Sequence, residues 1–284
     1  MDNNSLHKRA IEIVQQKATG KANDNDYTIT INFHPDRLTI KKQPLLLAIA
    51  DDGLIKSQFE TGTSNGGLTA YHGGERWLWE QQVFNGIYNN ALVSEKPKYG
   101  ALNYRKLATG ASNRFGSAYF CLKSHILKRS TFCYPDSYFM PENFATIEYI
   151  EALINELENG NLDQLDTYIE AQIHGDILIN NDIECLVMDP VYKGTEIEYQ
   201  ASKLPFDIYW HSGYELSVKQ IERYPDYRGQ EIISISKEIA VNNRINPQII
   251  GLAHNDGRYD IQDIKKVWHY LARYGYRGYE NNDN

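Results

Sequence analysis

Hydrophobic periodicity switches repeatedly along this 284-residue chain, and that switching constrains its fold more than any other feature. Tyr27-Thr28-Ile29-Thr30-Ile31-Asn32-Phe33 alternates and predicts a strand ending at His34-Pro35-Asp36-Arg37. Residues 98–133 read as strands and turns, 167–179 as a strand or strand pair, and 183–188 and 206–210 as further strands. Between and around them the period becomes helical. Residues 5–18 carry Leu6, Ala10, Ile13 and Val14 on one side, 42–50 form a short apolar run, and 75–90 have Trp77, Phe84 and Tyr88 as anchors. Pro141 to Glu158 predicts one helix, with Pro at its start, apolar residues from Phe144 to Leu157 at helical spacing, and Gly160 past its end. Residues 215–274 mix helices and end in an amphipathic one near 261–274. Residues 56–74 are rich in Gly, Ser and Thr and predict a long loop, the kind of segment that carries function in compact domains. No repeat or linker interrupts the pattern, so a single α+β domain over 1–284 is expected.

Composition narrows the function classes. A net charge of −8 disfavours non-specific nucleic-acid binding, which needs Lys and Arg against phosphates, and suits a basic protein partner. The 21 Tyr supply flat rings with polar tips, suited to the core or to a groove for a ring-bearing ligand. Three Cys without a CxxC pair argue against a disulfide framework and fit a reducing compartment. No stretch approaches the length of a membrane span, and residues 1–20 lack the apolar run of a usual signal peptide. A soluble protein is expected, cytoplasmic or delivered to a host cell by a route that reads no such signal.

Three segments could carry chemistry. Alternation puts Tyr168, Glu170 and Gln172 on one face of their strand, and an exposed face of that kind can hold a sugar, the carboxylate accepting a hydroxyl or stabilising positive charge as a glycosidic bond breaks. On local chemistry alone the same face reads more readily as an ordinary polar outer face. Arg37, just past its strand, could grip a phosphate bidentately or simply pair with Asp36. His34 and Asp36 lack further ligands at a telling spacing, so no metal site is expected. In Asn113-Arg114-Phe115-Gly116-Ser117, Gly116 admits close backbone approach, Phe115 offers a stacking ring, and Ser117 could orient a carboxylate; a plain β-turn is the competing reading. The sequence has no HExxH or P-loop, and Gly62, Gly66 and Gly67 do not form a dinucleotide fingerprint.

An Arg ending the first strand, a Ser opening a middle strand and a Glu on a later one occur in the order that resembles the Arg–Ser–Glu class of ADP-ribosyltransferases, here Arg37, Ser117 and Glu170. Longer stretches are more specific: Gln58-Phe59-Glu60-Thr61-Gly62, Lys98-Tyr99-Gly100-Ala101-Leu102-Asn103, Arg114 to Ser117, Ser130-Thr131-Phe132 with Asp136-Ser137, and Tyr168 to Gly175. Together, from about residue 28 to 274, they look like a bacterial family of formerly unknown function similar to the CteC-type threonine ADP-ribosyltransferases, which modify ubiquitin.

The resemblance implies a split β-sandwich with helical elaborations at both ends, and NAD as a substrate lying between two sheets. It implies Glu170 as the catalytic carboxylate, with Arg37 and Ser117 beside it. The NAD-contacting set would be Arg37, His34, Phe59, Gly62, Ser64, Tyr99, Arg114, Phe115, Gly116 and Gln172. ADP-ribose would pass to a protein side chain, such as a threonine of ubiquitin; an NAD glycohydrolase and an inactive protein-binding module are the alternatives. The chain departs from the class pattern at Tyr168, where Glu or Gln is usual, and at Phe115, which interrupts the Ser-x-Ser motif. Those departures leave open whether Tyr168 or Gln172 partners Glu170, fit an acceptor other than arginine, and keep His34 open as a substitute for Arg37.

Overall fold

A computed structural model describes residues 3–22, 26–62 and 68–279. Eight strands build one sheet: β1 (Ile29–Phe33), β2 (Lys98–Leu102), β3 (Ala118–Leu122), β4 (Ser130–Tyr134), β5 (Asn143–Thr146), β6 (Glu170–Ile173), β7 (Ile183–Met188) and β8 (Asp207–Trp210). Their order is β8-β7-β3-β1-β2-β6-β4-β5, antiparallel throughout except for the parallel β7–β8 edge. Seven helices matter for the site and its support: α1 (Asn3–Gln15), α2 (Leu45–Asp52), α3 (Glu75–Val83), α4 (Glu151–Glu158), α5 (Gln230–Ile239), α6 (Pro247–Asp256) and α7 (Ile261–Tyr274). No described helix is long and apolar enough to cross a membrane.

Alternation gives the sheet two unlike faces. Phe33, Leu102, Phe120, Phe132, Ala171 and Leu186 point into the main core, where Leu46 of α2 and Leu153 and Leu157 of α4 pack on them. The opposite face presents Thr30, Asn32, Tyr99, Thr131, Cys133, Glu170 and Gln172. This polar face is nonetheless covered. A smaller cluster of Ala10 and Val14 from α1 with Trp79, Val83, Phe84 and Tyr88 lies over its β4–β5 side. The loop 103–117 lies over Thr30 and Asn32, and α7 backs that loop through Trp268, whose Nε1 donates to the carbonyls of Asn113 and Arg114.

In place of the expected pair of packed sheets, the strands form one continuous eight-stranded sheet beside two small two-stranded ones, and no barrel closes among the described residues. β1 and β2 pair at two positions, Ile29↔Leu102 and Thr30↔Ala101, whereas β1–β3 and β2–β6 each pair at four. Gly100 sits at this thin seam because a Cβ there would come within 2.9 Å of the Thr30 carbonyl oxygen.

Three expectations change. Pro141–Glu158 is not one helix: Asn143–Thr146 is strand β5, and the α-helix begins at Glu151. Phe144 faces Trp79 while Ile150, Leu153 and Leu157 face the other core, so the apparent helical series joins residues from opposite sides of the sheet. The predicted loop 56–74 contains a short helix, Gln58–Thr61, whose Ser57 and Glu60 form a reciprocal capping box. The 75–90 helix stops at Val83; Phe84 and Tyr88 are buried anchors, but Trp77 lies off the buried stripe.

Candidate active site

Glu170 opens β6 on the polar face, and its strand is far from exposed: Tyr168 is 3%, Glu170 6% and Gln172 0% accessible. The sequence-based reading of an exposed face is therefore corrected. The Glu170 carboxylate accepts from the Ser137 hydroxyl at 2.7 Å and from the Gln172 amide at 3.1 Å, and the Arg76 guanidinium lies 3.8 Å away. Arg76 also donates to the Ser137 hydroxyl at 2.7 Å. Since that hydroxyl gives its only proton to Glu170, one serine bridges the cation and the carboxylate.

Arg76 is placed by α3. Its buried residues are Arg76, Trp79, Glu80 and Val83, the spacing of a helix's inward stripe, with charged groups at two of the four positions. Glu80 satisfies itself on the Tyr99 hydroxyl at 2.7 Å and the Lys96 ammonium at 3.3 Å, and Arg76 lies 4.0 Å over the Tyr99 ring. Lys96 in turn lies 4.8 Å over the ring of Phe59. Tyr99 thus lies beside Arg76 behind Glu170, while Phe59 is linked to it only through Lys96 and Glu80, with Gly62 as the left-handed cap of the Phe59 turn.

A second chain of hydrogen bonds fixes Gln172. Thr131 donates to Gln172 Oε1 at 3.0 Å, which turns the amide nitrogen toward Glu170. With its proton so used, Thr131 accepts from His174 Nε2 at 3.1 Å, and His174 Nδ1 accepts from the Tyr88 hydroxyl at 2.8 Å. One direction of donation, Tyr88 to His174 to Thr131 to Gln172 to Glu170, requires a neutral His174. Burial, aided by His7, Arg129 and Lys98, pushes its pKa down to about 3. Gln172, not Tyr168, is the residue that partners Glu170; the Tyr168 hydroxyl donates to Asp136 instead.

Burial pushes the Glu170 carboxyl above the ordinary glutamate value; Arg76 opposes that, nearby Asp136 reinforces it, and the bonds from Ser137 and Gln172 oppose it. The Cys133 thiol, beside Glu170, is driven well up by burial and by that carboxylate, so it stays protonated. The arrangement can hold one carboxylate rigidly in a low-dielectric setting and aim it at positive charge.

The other expected residues are elsewhere. Arg37 pairs with Asp36 at 3.5 Å, and Asp36 accepts from the Tyr192 hydroxyl at 2.8 Å. Ser117 is buried beside Tyr192, its carbonyl accepting from His211 at 2.8 Å. Neither is among the partners of Glu170; the serine that bonds it is Ser137. β1 and β2 stand between β3 and β6, so about 14 Å of sheet separates the Ser117 and Glu170 strands. Bridging the two ends is the 113–116 turn. Gly116 lies against Phe33, where a Cβ would overlap the backbone at 2.0 Å; Phe115 meets Tyr168 edge-on at 5.6 Å; Arg114 pairs with Asp166. His34 packs edge-on against Trp268 at 4.8 Å, at the Arg37 end. Several buried nitrogens at that end lack a hydrogen-bond partner: Arg37 Nη1, whose charge is paired with Asp36, Arg114 Nε, and both ring nitrogens of His269, one of them a donor in the neutral ring. Ser64 lies outside the described residues, and no group of three metal-ligating side chains occurs among those described.

Sequence reasoning missed Arg76, Glu80 and Ser137. Arg76 and Glu80 had a signal, two charges on the stripe that Trp79 and Val83 define. Ser137 had only its presence in one of the family-like stretches.

A family model described as "Protein of unknown function (DUF3626)" matches residues 28–161 and 149–274. No curated protein matches the chain.

Proposed function

The chain belongs to that DUF3626 family, and from the resemblance and the site's chemistry, on which that family of unknown function is silent, we propose that it is an NAD-dependent mono-ADP-ribosyltransferase with Glu170 as its catalytic carboxylate. The observation that carries the reading is the fixed carboxylate itself: Glu170 held by Ser137 at 2.7 Å and by Gln172 at 3.1 Å, on a strand beside a seam in the sheet. A glutamate, an orienting serine and a Gln side chain beside it are the groups the resemblance implies, recruited here as Glu170, Ser137 and Gln172.

The residues fit NAD as a substrate. Arg114 Nε and the single N–H of neutral His269 are donors without acceptors, and Arg37 holds only a 3.5 Å pairing with Asp36; phosphate oxygens suit all three. The Phe115 and Tyr168 rings, in contact at 5.6 Å, suit a flat nicotinamide. In the reaction the bond between ribose C1′ and the nicotinamide nitrogen breaks and nicotinamide departs neutral. Glu170 accepts from a ribose hydroxyl and stabilises the positive charge that builds on the sugar. A protein hydroxyl then bonds to C1′ and gives up its proton. We take a threonine of ubiquitin as the candidate acceptor, a hydroxyl being consistent with the absence of Glu or Gln at Tyr168.

Incubation with labelled NAD and purified ubiquitin tests this. The expected result is a mass gain of one ADP-ribose on ubiquitin, lowered by on the order of 100- to 1,000-fold in Glu170→Gln, which keeps the shape but not the charge. Full activity in Glu170→Gln overturns the assignment. Nicotinamide release with no protein modified identifies a glycohydrolase; absent turnover with partner binding intact in Glu170→Ala identifies a binding module.

A further inference from the structure

Cys121 and Cys185 are 64 residues apart in sequence (185 − 121) and form no motif, yet the sheet makes them neighbours. They are direct partners in the antiparallel register of β3 and β7. Directly opposed residues in such a pair have Cα atoms roughly 4.5 or 5.5 Å apart, and both values fall within the window a disulfide needs. Their side chains leave the sheet on the same face, that of Thr30 and Tyr119, because partners across a ladder share a side. Both thiols are free and partly accessible, whereas Cys133 is buried.

The two thiols also influence each other's ionisation. The proximity of Cys185, with Thr28 also beside it, favours the Cys121 thiolate and pulls its pKa down, while Cys121 in turn keeps the proton on Cys185 and pushes its pKa up. A thiolate beside a protonated thiol is the arrangement of an attacking and a resolving cysteine.

We propose that Cys121 and Cys185 are a modification site, a dithiol that a low-molecular-weight disulfide of the glutathione class oxidises to a reversible cross-strand disulfide. The Cys121 thiolate attacks one sulfur of the oxidant, the S–S bond breaks, and one glutathione thiolate leaves. The Cys185 sulfur, giving up its proton, then attacks Cys121 sulfur and displaces the second glutathione thiolate. Two electrons pass to the oxidant, and the two protons of the protein thiols end on the two released glutathiones. The product pins β3 to β7 on the half of the sheet that carries Ser117, without touching Glu170.

The test is differential alkylation of the full-length protein after oxidised glutathione, read by peptide mass spectrometry. Cys121 and Cys185 should lose reactivity together, appear as one cross-linked peptide pair and recover with dithiothreitol, and the melting temperature should rise on oxidation. In Cys185→Ser the expected product is a stable glutathione adduct on Cys121. Continued alkylation of both residues after oxidation, or adducts on both without a cross-link in the unaltered protein, overturns the proposal.

Discussion

Thr131 touches neither a predicted substrate group nor Glu170, yet it decides which way the Gln172 amide faces. Its hydroxyl is committed to Gln172 Oε1 at 3.0 Å and it receives His174 Nε2 at 3.1 Å. Thr131→Val keeps the shape and removes both bonds, leaving two buried groups unpaired. The expected cost is about 2 kcal/mol of stability, with a larger loss in turnover than in NAD affinity, checked by denaturant melts beside steady-state kinetics. Arg76 acts on the carboxylate's charge. It opposes the upward push of burial on Glu170, so Arg76→Met should move the acid limb of the pH–rate profile upward. A profile unmoved in a variant that still folds removes Arg76 from the site. At this scale the sequence exposed Glu170 and Gln172 through alternation and family-like context. It could not single out Ser137 over Ser117, because a serine's partner is chosen by where a loop lands across the sheet, not by order along the chain.

Among the elements, periodicity was legible wherever one face met one core. β1, β7, β8, α1, α2 and α7 lie where alternation or helical spacing put them. The failure at 141–158 has a physical cause: Phe144 and Leu153 are both apolar and both buried, but in different clusters on opposite faces of the sheet. A short strand feeding a helix imitates a longer helix when each contributes buried residues in phase. The seam between β1 and β2 left no signal beyond Gly100, whose missing side chain admits the Thr30 carbonyl. Gly100→Ala forces backbone against a Cβ at 2.9 Å and is expected to destabilise by about 1–3 kcal/mol, measured as a shift in denaturant midpoint with unchanged slope.

For the whole molecule, acid is the sharpest probe. His174 is pushed down to about 3 and His269 to about 2, the first cause in each case being burial. Both are neutral when folded and take up a proton near pH 6.5 when unfolded, so between those limits the unfolded chain binds more protons. Stability is therefore fully present above the unfolded value and falls as pH drops below it, by up to about 1.4 kcal/mol per pH unit for each histidine. Urea melts from pH 7 to pH 4 should show that decline, and His269→Gln should flatten it; an unchanged slope would mean that His269 is solvated when folded. Phosphate or pyrophosphate added at pH 7 should raise the midpoint if the donors around His269 and Arg37 receive an anion.

The seam has a mechanical meaning. Glu170 belongs to one half of the sheet and Arg37 and Ser117 to the other, and the ladder joining the halves is two residue pairs long. Their relative angle is set less by hydrogen bonding than by what packs above and below. A molecule gripped at both ends would act as a strut across this joint, stiffening the angle between the halves. Amide exchange along Ile31–Phe33 and Lys98–Gly100 would then slow together.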